Sequence, residues 1–323
     1  MLDAVNLFRS MVGLPSVTTD ASFDELAQQA SLMMKAEDDL SHYPGPRWAC
    51  HSAAGAQGAG RSNLYLGVTG AQAIWGYMED SGANNTEAGH RQWILDPLAD
   101  RFGIGATDGS HALLVVAPRR PAPESPLPEW LPWPIAGASS VGLEPGGRWS
   151  LGATDPETSF DSAAITVHGP TGPMTVTRNT GAGARSLVWQ VKNLPDPEEM
   201  QHDATYRVAV TGLTRRGAAL PPVEYSVTLV ALRTPTATRN PTLTGNARPG
   251  GRLTVDVGAW PEGTRTQVEL LRNGKPIEIW GSTYMPDASD VGAEFSARVT
   301  ASRGNYRDTV MTASIVTAPP SGV

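Results

Sequence analysis

Two histidines at chain reversals are the residues of this sequence best placed to do chemistry. His42 follows a helix-like run and precedes a proline-containing turn, and His90 lies near the start of another segment with helical spacing. The acidic residues Glu79 and Asp80 lie between them, where a further helical segment is expected to end. Two imidazoles and one carboxylate from separate elements can hold a divalent cation or polarise a bound polar group. One of the two carboxylates is expected to face this site, with Glu79 slightly preferred over Asp80.

Two nearby polar residues could support the histidines without contacting a ligand themselves. Glu87 is three residues before His90 and would share its helix face, so it could orient the imidazole. As a carboxylate at a helix start it would equally serve only to favour the helix dipole. Asn63 can hydrogen-bond backbone groups and brace a turn. The other histidines show no pattern of partners and predict no site: His51, His111, His168 and His202.

The composition is typical of a globular protein with several domains. The chain has 323 residues, enough for two or three domains with separate cores. Abundant glycine (34 residues) and proline (27 residues), with 40% hydrophobic residues, suit turn-rich β domains and argue against disorder. The net charge is −7 and no run rich in lysine or arginine occurs, so the sequence lacks the basic face of a nucleic-acid binder.

Neither the N-terminus nor the cysteine content identifies a compartment. The first four residues lack the basic and apolar regions of a signal peptide. A run of about 18 apolar residues would be needed for a transmembrane segment, and none is found. Cys50 is the single cysteine, which excludes an intrachain disulfide, and it is expected to be a small buried side chain.

The first 120 residues mix helix and strand patterns. The second helix is expected to open on a capping box formed by Ser22 and Glu25. The last strand is an uninterrupted apolar run, which is typical of a strand covered on both faces. These patterns predict a sheet with helices packed on it in residues 1–120. Helices are predicted at residues 4–11, 22–34, 70–80 and 87–95, and strands at 102–106 and 112–117.

A proline-rich segment separates this region from one of different periodicity. Residues 121–134 contain six prolines, which predicts an extended linker. Beyond it, short alternating segments predict two antiparallel β-sandwiches, in residues 135–232 and 233–318. Tryptophans in strand-like runs are expected in the cores, and those in the linker could cover a domain junction: Trp149, Trp189 and Trp260 in the first group, Trp130 and Trp133 in the second.

Several short stretches of the first 120 residues carry a family resemblance. They are Ala4–Arg9, Leu40–His42, Ser62–Leu64, Trp75–Asp80 and Gly89–Trp93. In this order they resemble the bacterial branch of the CAP superfamily (cysteine-rich secretory proteins, antigen 5 and pathogenesis-related 1). The resemblance implies an α-β-α sandwich with a central cleft, in which two histidines and two acidic residues can bind a divalent metal.

The resemblance also implies roles for individual residues. His42 and His90 match the family's histidines, and Glu79 or Asp80 matches one of its acidic positions. The other acidic position is Ser62 in this sequence, and a hydroxyl is a poorer metal ligand than a carboxylate. Zn²⁺ or another divalent cation would therefore bind weakly, with His42, His90 and Glu79 as its ligands. A serine at this position also argues against catalysis by a pair of carboxylates, because only one carboxylate would remain.

The remaining segments resemble Ig-like domains of surface proteins. Residues 130–232 look like the Ig- or fibronectin-like β domain that often follows a bacterial CAP domain, on stretches such as Arg148–Ser150 and Leu187–Trp189. Residues 233–318 are similar to actinobacterial surface Ig-like repeats, on Pro249–Val255 and Leu271–Ile277. These resemblances imply an α+β chain, with a CAP-like domain before two all-β sandwiches, that is extracellular or displayed at the cell surface.

Three classes of function remain open. The first is a binding module in which the cleft recognises a lipid, a glycan or a cell-wall component, with or without a divalent cation, while the β domains act as spacers. The second is a metal-assisted hydrolase that uses the same cleft. The third is a structural adhesin, or a component of an appendage or virion surface, with other surface proteins as partners. Ser62 favours binding over hydrolysis, and the sequence contains neither Gly-x-Ser-x-Gly nor His-Glu-x-x-His.

Overall fold

The computed structural model describes residues 1–119, 126–181, 184–279, 281–303, 308–313 and, for their backbone, 316–317. The chain divides into two compact units, Met1–Val230 and Ala231–Val323. Within the first unit we distinguish an N-terminal domain, residues 1–119, from a first β domain, residues 126–230. The second unit is the second β domain.

The N-terminal domain is a sheet with helices on both faces. Its strands follow the order β1-β3-β4-β2, with β1 parallel to β3 and the other pairs antiparallel. A short 3₁₀-helix, Ala83–Asn85, follows the fourth α-helix. The elements are α1 Leu2–Met11, β1 Thr18–Thr19, α2 Ala21–Glu37, α3 Ala53–Ala59, β2 Ser62–Leu66, α4 Ala71–Glu79, α5 Gly89–Ile94, β3 Arg101–Ala106 and β4 Ser110–Leu114.

Two hydrophobic clusters fill the space between the sheet and its helices. On one face, residues of α1, α4 and α5, among them Phe8, Tyr77 and Ile94, are buried together. On the other face, α2 and α3 bury Met33 and Ala59 against the sheet. Every residue of β4 is buried, as expected of a strand covered on both sides. The α-β-α sandwich that the family resemblance implies is therefore confirmed.

Two glycines of β3 determine how closely α2 lies on the sheet. A Cβ atom at Gly103 would come 2.4 Å from the backbone of Phe23, and one at Gly105 would come 2.1 Å from the backbone of Ala27. Neither distance is possible for a real side chain, so only glycine permits this packing. The α2 helix itself begins differently from the prediction, because its N-cap is Asp20, whose carboxylate accepts from the Ser22 amide.

The first β domain is a sandwich of two main sheets. Their strand orders are β10-β9-β13-β16-β6 and β11-β12-β7-β5, and β15-β14-β8 form a smaller sheet. Trp149 of one sheet and Tyr206 of the other lie edge to face, 5.6 Å apart between ring centroids. The strands are β5 Trp130–Trp133, β6 Gly137–Ser140, β7 Arg148–Ala153, β8 Thr158–Ser159, β9 Ala164–Gly169, β10 Gly172–Pro173, β11 Val176–Arg178, β12 Ser186–Val191, β13 Ala204–Thr211, β14 Thr214–Arg215, β15 Ala218–Ala219 and β16 Val223–Val230.

Part of the predicted linker belongs to this β domain. Trp130–Trp133 forms the strand β5, which pairs with β7, whereas residues 120–125 lie outside the described part of the chain. Trp133 is 1% exposed and packs in the core cluster of the N-terminal domain, with its ring 5.6 Å from that of Phe8. The prediction that Trp133 covers a domain junction is confirmed, and the two domains of the first unit share hydrophobic contacts.

The second β domain is again built from strands packed as two sheets. The sheet orders are β17-β18-β21 and β20-β19-β22-β23, and β24 also pairs with β22. Its core includes Leu243, Val255, Leu270 and Phe295. Beyond residue 140 the described residues contain no α-helix, as the alternating pattern predicts. The strands are β17 Thr242–Gly245, β18 Leu253–Asp256, β19 Arg265–Arg272, β20 Lys275–Ile277, β21 Thr283–Tyr284, β22 Glu294–Ser302, β23 Thr309–Thr312 and β24 Val316–Thr317.

The tryptophan predictions and the cysteine prediction have different outcomes. Trp149 and Trp189 are fully buried, as predicted, and Trp260 packs at the edge of the second β domain's core. The prediction of a buried Cys50 is wrong, because this residue is exposed in a turn with a φ of 55°. Within the residues that the structure describes, no helix is both long and apolar enough to cross a membrane.

Candidate ligand-binding cleft

A cleft of about 410 Å³ opens on the N-terminal domain and contains both predicted histidines. It is bounded by the turn after α2, the strand β2, the helix α4 and the 3₁₀-helix that follows it. Its polar lining residues are Ser41, His42, Ser81, Asn84, Asn85 and His90. Its apolar and aromatic lining includes Leu40, Leu64, Tyr65, Leu66 and Tyr77. His42 and His90, which are 48 positions apart in the sequence, therefore line the same cleft.

His90 is held by the carboxylate of Asp80. The helix α4 ends at Glu79, and Asp80 then adopts a left-handed conformation with a φ of 55°. Its Oδ1 atom lies 2.7 Å from His90 Nδ1, and its Oδ2 atom accepts from the His90 amide at 2.9 Å. The Asp80 side chain is completely buried. Because Nδ1–H donates to this carboxylate, His90 presents Nε2 as its unengaged ring nitrogen.

The structure reverses the predicted preference for Glu79 over Asp80 as the carboxylate of the site. Glu79 was the preferred cleft carboxylate, but its side chain is exposed and does not line the cleft. Asp80 is the residue that contacts His90, and it does so as an orienting group beneath the imidazole. The reason is local, since the left-handed turn at Asp80 directs its carboxylate back toward the start of α5.

His42 is held in the same manner by a backbone group. Its Nδ1 atom lies 2.9 Å from the carbonyl oxygen of Ala59, the last residue of α3. A carbonyl can only accept, so Nδ1 carries the proton and Nε2 carries the lone pair in the neutral ring. Among the described residues, neither His42 Nε2 nor His90 Nε2 has a hydrogen-bond partner within the chain. Each of the two histidines therefore presents a free Nε2 acceptor in this cleft.

Tyr77 and His111 extend the site into the core, and no sequence pattern indicated a function for either residue. The hydroxyl of Tyr77 donates to the carbonyl of Asn63 at 2.9 Å and lies 3.1 Å from His111 Nδ1. The Tyr77 ring is 5.4 Å from the His90 ring and 5.6 Å from the His111 ring, centroid to centroid. Burial raises the pKa of Tyr77 well above its ordinary value, so its hydroxyl keeps its proton.

His111 predicts a pH dependence of stability. It is fully buried, and burial lowers its pKa from 6.5 to about 4. The unfolded chain therefore binds a proton that the folded chain excludes between pH 6.5 and about 4, so stability falls as the pH is lowered through this window. We expect His111→Gln to reduce the loss of unfolding free energy between pH 7 and 4.5 by about 2–3 kcal/mol relative to the wild type. Urea denaturation at the two pH values measures this, and equal losses in both proteins would contradict it.

Three other predicted site residues have structural contacts outside the cleft lining. Asn63 donates from Nδ2 to the carbonyl of His90 at 3.1 Å, so it braces α5 rather than its own turn. Ser62 is buried and donates to the Gly58 carbonyl at 2.7 Å, so the prediction that it lines the cleft is wrong. Glu87 is exposed and accepts from the Gly181 amide at 3.3 Å, which leaves the orientation of His90 to Asp80.

The comparison with protein families agrees with this geometry. Residues 2–117 match the family model described as CAP, the cysteine-rich secretory protein family. Residues 2–117 form a CAP domain. The comparison with curated proteins found no match.

Comparison with solved structures returned fibronectin-type and Ig-like domains. Fibronectin(III)-like modules of Clostridium thermocellum CbhA are 12% identical, with 59% of this chain and 95% of that chain covered and a TM-score of 0.22. A two-domain fibronectin type III segment of chicken tenascin is also 12% identical, with 54% and 93% covered and a TM-score of 0.20. Because both TM-scores are low, the description of the two β domains as sandwiches rests on the strand order of their own sheets.

The predicted metal ligands are not all brought together in the CAP cleft. Within the described residues, no group of three or more histidine, cysteine, aspartate or glutamate side chains is close enough to hold a metal ion. His42 and His90 provide two imidazole nitrogens, but Glu79 does not join them and Asp80 is engaged by His90. Structural zinc sites need about four protein ligands and catalytic sites about three. The predicted set of His42, His90 and Glu79 is therefore not assembled.

Two arginines connect the underside of the CAP cleft to the first β domain. Arg91 is 1% exposed and donates to the carbonyls of Met78 and Glu79, at the end of α4. Arg148, on β7, donates in turn to the carbonyls of Asp80 and Gly82. The turn that positions the His90 carboxylate partner is thus held from both sides. The sequence offered no signal for this, since both arginines act through contacts that are distant along the chain.

Proposed function

We propose that this chain is an extracellular or surface-displayed binding protein whose CAP cleft recognises a glycan or a saccharide component of a cell wall. The observation that carries the proposal is the matched pair of imidazoles. His42 and His90 each have Nδ1 engaged by the protein and Nε2 left over in the same cleft. The two β domains would act as spacers that display this cleft.

The chemistry of the lining favours a ligand with many hydroxyl groups. A neutral imidazole Nε2 accepts a hydrogen bond, and sugar hydroxyls are abundant donors. Asn84 and Asn85 add amide donors and acceptors at the same cleft, and Tyr65 adds an aromatic surface for the apolar face of a sugar ring. A lipid acyl chain would leave these polar groups without partners, which costs free energy.

A divalent cation, if it binds here, is proposed to bind weakly through the two imidazoles alone. The hydrolase alternative required Glu79 at that cation, and the exposed position of Glu79 removes its support. Because protons compete with a cation for imidazole nitrogens, such binding should weaken further as the pH falls. Zn²⁺ is therefore not expected to be required for recognition of the saccharide.

The experiment compares two double variants of the full chain in binding to soluble peptidoglycan fragments. We expect His42→Ala/His90→Ala to weaken binding at least about tenfold, because two acceptors of the cleft are removed. His51→Ala/His168→Ala is the matched control, since both of these histidines are exposed and lie outside the cleft. Isothermal titration calorimetry, run with and without Zn²⁺, gives the dissociation constants. Equal affinity of the two double variants, or binding of neutral lipid vesicles in place of the fragments, would overturn the proposal.

A further inference from the structure

The floor of the His42–His90 cleft is the outer edge of the strand β2. This strand is the last of its sheet and pairs with β4 alone. Leu64, Tyr65 and Leu66 are consecutive residues of β2, and all three line the cleft. Because successive side chains of a strand point to opposite faces of its sheet, a cleft that touches all three runs along the edge. One wall is the turn after α2 and the other is α4 with the residues that follow it, and these two helices pack on opposite faces of the sheet.

The register of β2 and β4 shows which backbone groups this edge leaves unpaired. Just beyond the end of β2, the Gly67 amide donates to the Gly109 carbonyl at 2.8 Å, in the same register that pairs the two strands. Hydrogen-bonded pairs alternate along an antiparallel ladder, so the odd-numbered residues of β2 bond to β4 and the even-numbered ones face outward. The N–H and C=O groups of Leu64 and Leu66 therefore face the cleft, and within the described part of the chain no hydrogen bond engages them.

The unpaired backbone groups of β2 and the two imidazoles are complementary to an amide group of a ligand. Free N–H and C=O groups at the edge of a sheet form hydrogen bonds with other amides, as they do in strand addition. The Leu66 N–H is a donor, whereas the Nε2 atoms of His42 and His90 are acceptors. The N–H and C=O of a trans amide point in opposite directions, so one ligand amide can accept from β2 on one side and donate to an imidazole on the other.

The rest of the lining restricts this amide to a small neutral ligand. None of the lining residues that the structure describes is a lysine, arginine, aspartate or glutamate, so a carboxylate or phosphate would find no fixed charge of opposite sign. Leu40 and Leu64 offer an apolar surface for a methyl group. The open edge is short, because β2 ends at Leu66 and Gly67 follows it with a φ of 91°. An added peptide strand would find only two outward-facing residues in the cleft, whereas strands are usually about 3–10 residues long.

We propose that the His42–His90 cleft binds an N-acetylated amino sugar through its acetamido group. The acetamido carbonyl accepts from the Leu66 N–H, the acetamido N–H donates to an imidazole Nε2, and the methyl group lies against the leucines of the lining. The sugar hydroxyls bond the other Nε2 atom and the amides of Asn84 and Asn85. This assignment rests on the function proposed above and narrows its ligand to a neutral saccharide that carries an amide.

The test compares N,N′-diacetylchitobiose with cellobiose, which has the same linkage but a hydroxyl in place of each acetamido group. NMR titration of the full chain is expected to give at least about tenfold tighter binding of diacetylchitobiose, because cellobiose lacks the amide hydrogen bonds and the methyl contact. Equal affinity for the two disaccharides would overturn the proposal. Tighter binding of a neutral peptide, acetyl-trialanine amide, than of diacetylchitobiose would overturn it as well, since the edge would then pair with a peptide strand.

Two substitutions at one position separate the backbone donor from the side chain. Leu66→Pro removes an N–H that makes no bond within the protein, so the ladder with β4 is retained while the preference for diacetylchitobiose should be lost. Leu66→Ala is the matched control, because it shortens the same side chain but keeps the N–H, and it should retain the preference. A preference that survives Leu66→Pro would refute the assignment of the donor.

Amide hydrogen exchange of the unsubstituted protein gives a readout that does not depend on the folding of any variant. The Leu66 amide should exchange at least about fivefold more slowly with saturating diacetylchitobiose than in the free protein, because the ligand then occupies its hydrogen. An exchange rate that diacetylchitobiose leaves unchanged would overturn the proposal. If the two disaccharides bound equally while binding of peptidoglycan fragments still depended on His42 and His90, the acetamido assignment alone would fail and the function proposed above would stand.

Discussion

Replacing Arg91 with methionine is expected to lower the free energy of unfolding of the first unit by about 3–5 kcal/mol. Arg91 donates to the carbonyl of Met78 at 2.6 Å, to that of Glu79 at 3.0 Å and to that of Arg148 at 2.8 Å. It also donates to Ser150 Oγ at 3.1 Å. Methionine would fill much of the volume but would leave these buried acceptors without donors. Burial lowers the pKa of Arg91 to about 10, which still leaves it charged at neutral pH.

The measurement is urea denaturation of the full chain followed by tryptophan fluorescence. Most tryptophans lie before residue 230, so the signal reports mainly on the first unit. Arg101→Met is the control, because Arg101 is about half exposed and its ion pair with Asp20 should contribute less than about 1 kcal/mol. If both variants lost the same stability, Arg91 would not be the brace that the structure indicates.

Asp80→Asn is expected to lower the free energy of unfolding and to weaken ligand binding in the His42–His90 cleft. The buried carboxylate of Asp80 accepts from His90 Nδ1, from the His90 amide and from the Arg91 amide. An amide side chain would place an NH₂ group against one of these donors, at an expected cost of about 2–3 kcal/mol. Asparagine tolerates the left-handed backbone conformation at this position, so the backbone itself should not be strained.

The functional consequence follows from the loss of the His90 anchor. Groups that orient metal-binding imidazoles contribute about 10- to 100-fold in metal affinity, and by analogy Asp80→Asn should weaken binding of peptidoglycan fragments about tenfold. Glu79→Gln is the matched control, since Glu79 is adjacent but has an exposed side chain. If affinity fell in Glu79→Gln and was retained in Asp80→Asn, the carboxylate that supports the cleft would be Glu79 and not Asp80.

The sequence predicted the histidines of the cleft because their neighbours along the chain carry strong local signals. His42 follows a helix with clear apolar spacing, and His90 lies in a short helix whose family resemblance is specific. The burial of Trp149 and Trp189 was equally predictable, since each lies in an alternating strand. Local periodicity therefore accounts for most of the elements and for the two imidazoles.

Two predictions were wrong where neighbouring candidate residues are chemically similar and only the backbone conformation distinguishes them. Periodicity cannot choose between Glu79 and Asp80, because the helix ends between them and a single left-handed residue decides which one turns inward. The cap of α2 presented the same difficulty, since Asp20 and Ser22 are both good capping residues. In each case the decisive feature is a dihedral angle that has no signature in the spacing of side chains.

The contacts that were missed are those made over long distances in sequence. Arg91 donates to the carbonyl of Arg148 across a domain boundary, and Arg148 donates in turn to the carbonyl of Asp80. His111 was misjudged for a different reason. It directly precedes the apolar run of β4, and that position was itself a signal that the imidazole would be buried.

The tautomers of His42 and His90 show directly whether both rings present a free Nε2 acceptor in the cleft. Long-range ¹H–¹⁵N NMR of uniformly labelled protein at pH 7.5 distinguishes a protonated from an unprotonated ring nitrogen. We predict that both His42 and His90 carry the proton on Nδ1, and that the Nε2 signals of both shift when peptidoglycan fragments are added. Protonation of Nε2 in either ring, or Nε2 signals that stay unchanged at saturating fragment concentration, would contradict the account.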